Sequence, residues 1–172
     1  MVAEFKIYKI SIHFYLLRYV QQFLRDVEWG GLDFLILDMP PGTGDIQLTI
    51  VQTVDLAGVV VVTTPQEVAL IDARKAVGLF QRVETPILGI IENMSYFVCP
   101  SDGLIYNIFG EGGGEREAQK LGVPLLGRIP LDIETRSCGD EGAPVALKDP
   151  GQSMVSAAFQ GVATMLASVL GE

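Results

Sequence analysis

The chain has 172 residues, with 12 Lys and Arg against 21 Asp and Glu, a net charge of −9 with the single His neutral. Apolar residues make up 49% and mean hydropathy is +0.36, which excludes a disordered chain. The acidic balance argues against a general binder of nucleic-acid phosphates, and only two cysteines, far apart, exclude a disulfide scaffold and fit a reducing compartment.

The N-terminal stretch is apolar and aromatic, but Lys6, Lys9 and His13 interrupt it and no A-x-A-like cleavage site follows. Leu16, Leu17, Val20, Phe23, Leu24 and Val27 recur at helical spacing, so an amphipathic helix is expected there, ended by Gly30-Gly31. Residues 32–38 are nearly all apolar and read as a strand covered on both faces. A Pro- and Gly-rich loop follows, and Asp45 is expected to cap a helix reaching about Val54.

Residues 58–63 read as a second buried strand, broken by Thr64-Pro65-Gln66. A helix is expected over 67–83, then a strand over 87–91. Residues 93–114 form a long Gly- and aromatic-rich segment, followed by a helix over 115–121, a short strand over 124–129 and a short helix over 133–138. Met154–Leu170 reads as an amphipathic helix with Ser156, Gln160, Thr164 and Ser168 recurring every fourth residue. No apolar run approaches the ~18 residues that a spanning helix needs. Strands alternating with helices imply an α/β fold with a mainly parallel sheet.

In open parallel sheets, ligands bind at the carboxyl ends of the strands. The residues there are Asp38 and the loop after it, Thr63 to Gln66, Glu92 to Ser95, and Ile129 to Asp132. An acid directly after an apolar strand is where nucleotide hydrolases hold Mg²⁺, often through water. Asp38 stands in that place, although a turn-capping Asp is the plainer alternative. The Pro-Pro-Gly-Thr-Gly beside it makes a shaped loop, because proline fixes φ and glycine lets backbone approach a phosphate.

The string L-D-F-L-I-L-D-M-P-P-G-T-G-D over residues 32–45 resembles the Walker B and switch II region of the Mrp/ApbC-type iron–sulfur cluster carrier ATPases. These are relatives of MinD and ParA among the deviant P-loop ATPases. T-P-Q at 64–66, I-E-N-M-S-Y-F at 91–97, I-F-G-E-G-G-G at 108–114 and G-R-I-P-L-D at 127–132 follow in family order. The resemblance implies a doubly wound, P-loop NTPase-like fold with Rossmann-like layering, incomplete at its N-terminus. Residues 1–15 would be an unrelated leader, and 16–172 a single partial ATPase domain.

Position by position, the resemblance implies that Asp38 is the Mg²⁺-linked acid. Pro41 and Gly42 would be the switch II turn near the γ-phosphate, and Asn93 the residue that hydrogen-bonds adenine. Pro130 and Asp132 would belong to the adenine pocket wall, with simple turn roles as the alternative for Pro65 and Pro130. The implied cofactors are ATP, Mg²⁺ and a [4Fe–4S] cluster. The implied partners are apo iron–sulfur proteins as acceptors and a second copy in a homodimer, with no nucleic acid and no membrane. The implied location is the cytoplasm, with an organellar address such as mitochondrion or plastid left open.

The chain departs from this family twice. Its five lysines, at positions 6, 9, 75, 120 and 148, never follow a glycine, so there is no Walker A loop to cradle phosphates. An N-terminally truncated chain, inactive alone in ATP hydrolysis, is the expectation. The apolar leader, with Phe5, Ile7, Tyr8, Ile10, Ile12 and Phe14, is a candidate replacement strand. Second, the family's C-P-x-C reads Cys99-Pro100-Ser101-Asp102 here. Cys99 matches the first cluster ligand, while Asp102, a harder ligand, stands in the second place. Cys138 reads as a small buried hydrophobe. The rival functions are a ParA/MinD-like partitioning or positioning ATPase and a non-catalytic pseudo-ATPase. The absence of Lys and Arg from residues 154–172 weighs against membrane docking by the last helix.

Overall fold

A computed structural model describes residues 18–39 and 44–171. The chain divides into two compact units, Met1–Leu56 and Ala57–Glu172. The leader and its candidate strand, together with Pro41 and Gly42, lie outside the described residues.

In the first unit, helix α1 is described over residues 18–25, inside the expected amphipathic segment, but it ends at Arg25, before Val27 and the Gly30-Gly31 stop, and Phe23 of the apolar stripe is exposed. Helix α2, Asp45–Thr53, also lies where it was expected, but its N-cap is Gly44 rather than Asp45. Gly44 is extended, and its N–H donates to Oε1 of Gln47 at 3.0 Å, so the helix begins one residue earlier than a capping Asp45 requires.

The strand expected over 32–38 does not form. Those residues are irregular, and Phe34, Leu35 and Ile36 are exposed, Ile36 by 88%. A strand exists only where a neighbour completes its ladder. Among the described residues none pairs with this segment, so its strand-forming side chains have no sheet to lie in.

The second unit is built on a parallel three-stranded sheet, β1 (Val59–Thr63), β2 (Ile87–Glu92) and β5 (Leu125–Arg128), in the order β1-β2-β5. Val61 pairs with Ile90, and Glu92 pairs with both Thr63 and Arg128, so the three carboxyl ends lie level. Helix α3 (Glu67–Arg82) joins β1 to β2, and α4 (Gly113–Leu121) precedes β5. Helix α5 (Ile133–Asp140), a 3₁₀ turn at Val145–Leu147 and α6 (Met154–Leu170) complete the unit.

Side chains alternate across the sheet and feed two cores. Val61 and Ile90 pack with Ala73, Val77 and Ala118 of α3 and α4 on one face. Leu126 and Ile129 pack with Cys138, Val145, Val155 and Val162 on the other. Helices on both faces make the doubly wound layering that the sequence implies. Helix α3 forms because Leu70, Ala73, Val77 and Phe80 recur on one buried face, with Glu67 at its positive end and Arg82 at its negative end. Cys138 lies in the second core, as a small hydrophobe should.

Two local readings change. The segment 93–114 holds a small antiparallel ribbon, β3 (Phe97–Val98) with β4 (Ile105–Tyr106), which paired strands of two residues cannot announce by periodicity. The polar stripe of α6 is not all solvent-facing. Ser156 is fully buried, and its hydroxyl donates to the Lys148 carbonyl at 2.6 Å, fastening α6 to the preceding loop. No described helix is long and apolar enough to cross a membrane.

Candidate functional site at the carboxyl edge of the sheet

The three strand ends of the second unit are laced together by backbone. Asn93 N–H donates to the Thr63 carbonyl at 2.7 Å, Ser95 N–H to Ile129 at 3.0 Å, and Leu131 N–H to Tyr96 at 2.7 Å. Asn93 therefore sits directly after β2, held between the ends of β1 and β5. Its Oδ1 accepts the Met94 N–H at 2.9 Å, and Met94 takes a left-handed φ of 52°. The Asn93 amide nitrogen has no partner among the described residues, so it is free to donate to a ring-nitrogen acceptor.

Pro130 and Asp132 come together in a cavity of about 170 Å³, lined also by Val98, Leu131, Ser153 and Val155. Pro130 is buried and gives the cavity an apolar wall. Asp132 has a local duty: its Oδ2 accepts from Thr135 N–H at 2.9 Å and Thr135 Oγ1 at 3.1 Å, capping α5. Asn93 does not line this cavity. One more feature of the edge is polar and unmet: Oγ1 of Thr64, just past β1, is buried without a hydrogen-bond partner among the described residues.

These residues fit the base end of a nucleotide: a donor, an apolar wall and an unmet hydroxyl at a strand edge. They do not fit the phosphate end, since no glycine-rich loop with a lysine occurs in the sequence. Asp38 is exposed in the first unit, and among the described residues no three His, Cys, Asp or Glu side chains are grouped to hold a metal ion.

Cys99 lies at the end of β3, where the ribbon turns. Its N–H donates to Leu104, and its Sγ is 3.0 Å from the Ser101 hydroxyl. Hydrogen bonds from the Ser101 hydroxyl, and then from its backbone N–H, hold the Cys99 thiol below its ordinary value. That favours the thiolate, the form that binds metal. The Asp102 carboxylate stands beside the Cys99 thiol and works against its acidification, but its stronger bonds go to the ribbon. Its Oδ1 accepts from Leu104 N–H at 2.9 Å and its Oδ2 from the Tyr106 hydroxyl at 3.0 Å, and the Leu104 bond chiefly holds the carboxyl below its ordinary value.

Three groups beside this edge have no role in the sequence reading, although Glu92 stands among its strand-end residues. Glu92, the last residue of β2, is fully buried, bonded to Ser95 Oγ and Gly114 N–H. Glu117 of α4 is 2% exposed and takes a two-pronged bond from Arg74 of α3, both at 2.8 Å. Arg128 at the end of β5 pairs with Glu115 and lies 3.9 Å from Glu92. The signal for Glu92 is the run Gly112-Gly113-Gly114, since consecutive glycines mark a close backbone approach. A Cβ on Gly113 would stand 2.5 Å from the Pro65 carbonyl oxygen, and one on Gly114 3.0 Å from Glu92. Gly113→Ala is expected to lower unfolding stability by about 2 kcal/mol in urea melts, because the obstructing atom is backbone and cannot turn aside.

Residues 14–167 match the family described as ParA: NUBPL iron-transfer P-loop NTPase. The chain is 53% identical over 148 residues to the iron-sulfur cluster carrier protein of Deinococcus radiodurans, covering 86% of this chain and 41% of that protein. It is 48% identical over 153 residues to that of Pyrococcus abyssi, covering 89% of this chain and 51% of the relative. The chain thus spans about half the length of the curated relatives it matches. A nucleotide-binding protein from Archaeoglobus fulgidus, solved in complex with ADP, superposes with a TM-score of 0.67 at 39% identity, covering 74% of this chain and 53% of that one.

Proposed function

The chain belongs to the NUBPL iron-transfer P-loop NTPase family, and on that premise we propose that it handles an iron–sulfur cluster as cargo at the Cys99 ribbon, beside a site for the base of ATP. The observation that carries this reading is the ribbon itself. It presents a thiol acidified by Ser101, next to the sheet edge where Pro130 and Asp132 line one cavity and Asn93 follows β2 outside that cavity. In this reading Cys99 is a thiolate ligand, and a second copy of the chain supplies another across a homodimer. Asn93 donates from its amide nitrogen to the adenine ring, and Pro130 backs the ring. Apo iron–sulfur proteins are the acceptors.

In a full-length member of the family, ATP hydrolysis would supply the energy that gates loading or release of the cargo. This chain's own residues bind and orient its base. Residues 16–172 act as one nucleotide-handling portion, and turnover requires phosphate-binding groups that this sequence does not contain.

Anaerobic reconstitution with ferrous iron and sulfide tests the proposal. The wild-type chain is expected to gain the visible sulfide-to-iron charge-transfer absorption, and Cys99→Ser to lose most of it. Equal spectra for the two proteins would contradict it.

A further inference from the structure

Glu92 has no duty in the function just described, yet its carboxylate is completely buried. Burying a carboxylate is costly unless its oxygens are bonded. Here both are. Oε1 accepts from the Ser95 hydroxyl and Oε2 from the Gly114 N–H, each at 2.5 Å, and Arg128 Nε lies 3.9 Å from Oε1. Helix α4 has a glycine, Gly112, at its N-cap and thus no side-chain cap of its own, so Glu92 supplies the missing acceptor from a distant strand. An apolar residue at this position would fit the sheet, as Ile90 does two residues earlier. A side chain with two polar termini at this place is what can serve the Ser95 hydroxyl and the Gly114 peptide N–H at once.

The consequence falls on Asn93. Glu92 and Ser95 flank the Asn93-Met94 turn and are tied to each other by side chain. The turn is pinned on one side to β1 through the Thr63 carbonyl and on the other to the end of β5 through Ile129. Met94 is held at φ 52°, and its N–H occupies the Asn93 oxygen. With the turn closed in this way, the Asn93 carboxamide is left with its amide nitrogen as the free group.

We propose that Glu92 is the positioning residue of the base-binding turn, its buried carboxylate closing the Asn93-Met94 loop through Ser95 while anchoring that loop to the start of α4. This rests on the reading of Asn93 as the base-binding residue. The same contact couples the turn to α4, so any movement of α4 that withdraws the Gly114 N–H loosens the presentation of Asn93.

The experiment uses the full chain, ADP as the probe, and four proteins: wild type, Glu92→Ala, Glu92→Gln and Ser95→Ala. Glutamine can keep both bonds, accepting from Gly114 N–H through its oxygen and donating from its NH₂ to Ser95 Oγ. Glu92→Gln should therefore bind ADP nearly as wild type does. Glu92→Ala and Ser95→Ala should bind about tenfold more weakly, the order of effect of one lost buried hydrogen bond. The NMR signal of the Asn93 side-chain amide should move in both without ligand and stay in place in Glu92→Gln.

Ser95→Ala leaves the α4 contact intact, so it reports even if Glu92→Ala does not fold. If Ser95→Ala moves neither the Asn93 signal nor the ADP affinity, the proposal is overturned. If Glu92→Gln loses as much as Glu92→Ala, Glu92 serves only the charge balance of α4, and the proposal is again overturned. If the wild-type chain does not bind ADP, the base-site reading fails by itself. The Asn93 signal still decides the positioning role.

Discussion

Arg74→Ala is expected to lower unfolding stability markedly, because it removes the main partner of the buried Glu117 carboxylate. Glu117 is 2% exposed, and both of its oxygens are bonded to Arg74 at 2.8 Å. Arg74 also reaches Glu67, so one guanidinium joins the start of α3 to the middle of α4. What remains after the substitution is Lys120, 3.8 Å from Glu117 and itself exposed, a weak replacement. Lys120→Ala should accordingly cost far less than Arg74→Ala.

The effect has a pH signature. The Arg74 bond holds the Glu117 carboxyl below its ordinary 4.5, so the unfolded chain binds the proton more readily than the folded one. The pair's contribution is complete above the unfolded value and fades as pH falls through the folded one. Wild-type stability should therefore decline below about pH 4.5 more steeply than that of Arg74→Ala, measured by urea melts across the acid range.

Asp102→Cys is the second large effect. It rebuilds a C-P-x-C string at the tip of the ribbon, giving two thiolates per chain and four in a dimer, the number that suits a cubane cluster. The carboxylate it replaces is a harder ligand for iron and is turned toward Leu104 N–H and the Tyr106 hydroxyl. The reconstituted variant should hold its cluster on exposure to air about tenfold longer than wild type, followed by the decay of the visible absorption. Its thermal midpoint should fall slightly, since two exposed hydrogen bonds of the turn are lost.

Much of this architecture is legible in the sequence, and the exceptions have physical causes. The strands β1 and β2 and the helices α3 and α6 stand where apolar period and breakers put them, because each buries its pattern against a neighbour within one unit. Residues 32–38 carry as strong a strand pattern as β1 does. Their exposure shows that a pattern states what a segment needs, while the ladder depends on a partner elsewhere. The β3–β4 ribbon escaped notice because paired strands of two residues show no alternation.

At the site, the strand-end rule found Asn93, Pro130 and Asp132, but not how each is used. Asp132 caps a helix, and Asn93 spends its oxygen on its own turn. The same rule places Glu92 at a ligand-facing strand end but gives it no role. A carboxylate at the end of an apolar strand looks like a surface residue until its partner, a backbone N–H 22 residues away, is known. The glycine run that allows this approach was visible, whereas the role of the residue it admits was not.

The central claim, that the Cys99 ribbon holds an iron–sulfur cluster, is tested most directly by counting iron and acid-labile sulfide per chain after anaerobic reconstitution and gel filtration, for wild type and Cys99→Ala side by side. A cluster bridged by the Cys99 thiolates of two copies predicts iron and sulfide in equal amounts in a dimeric wild-type peak, and close to none of either in Cys99→Ala. Equal iron and sulfide in the two proteins, or none in either, would contradict it.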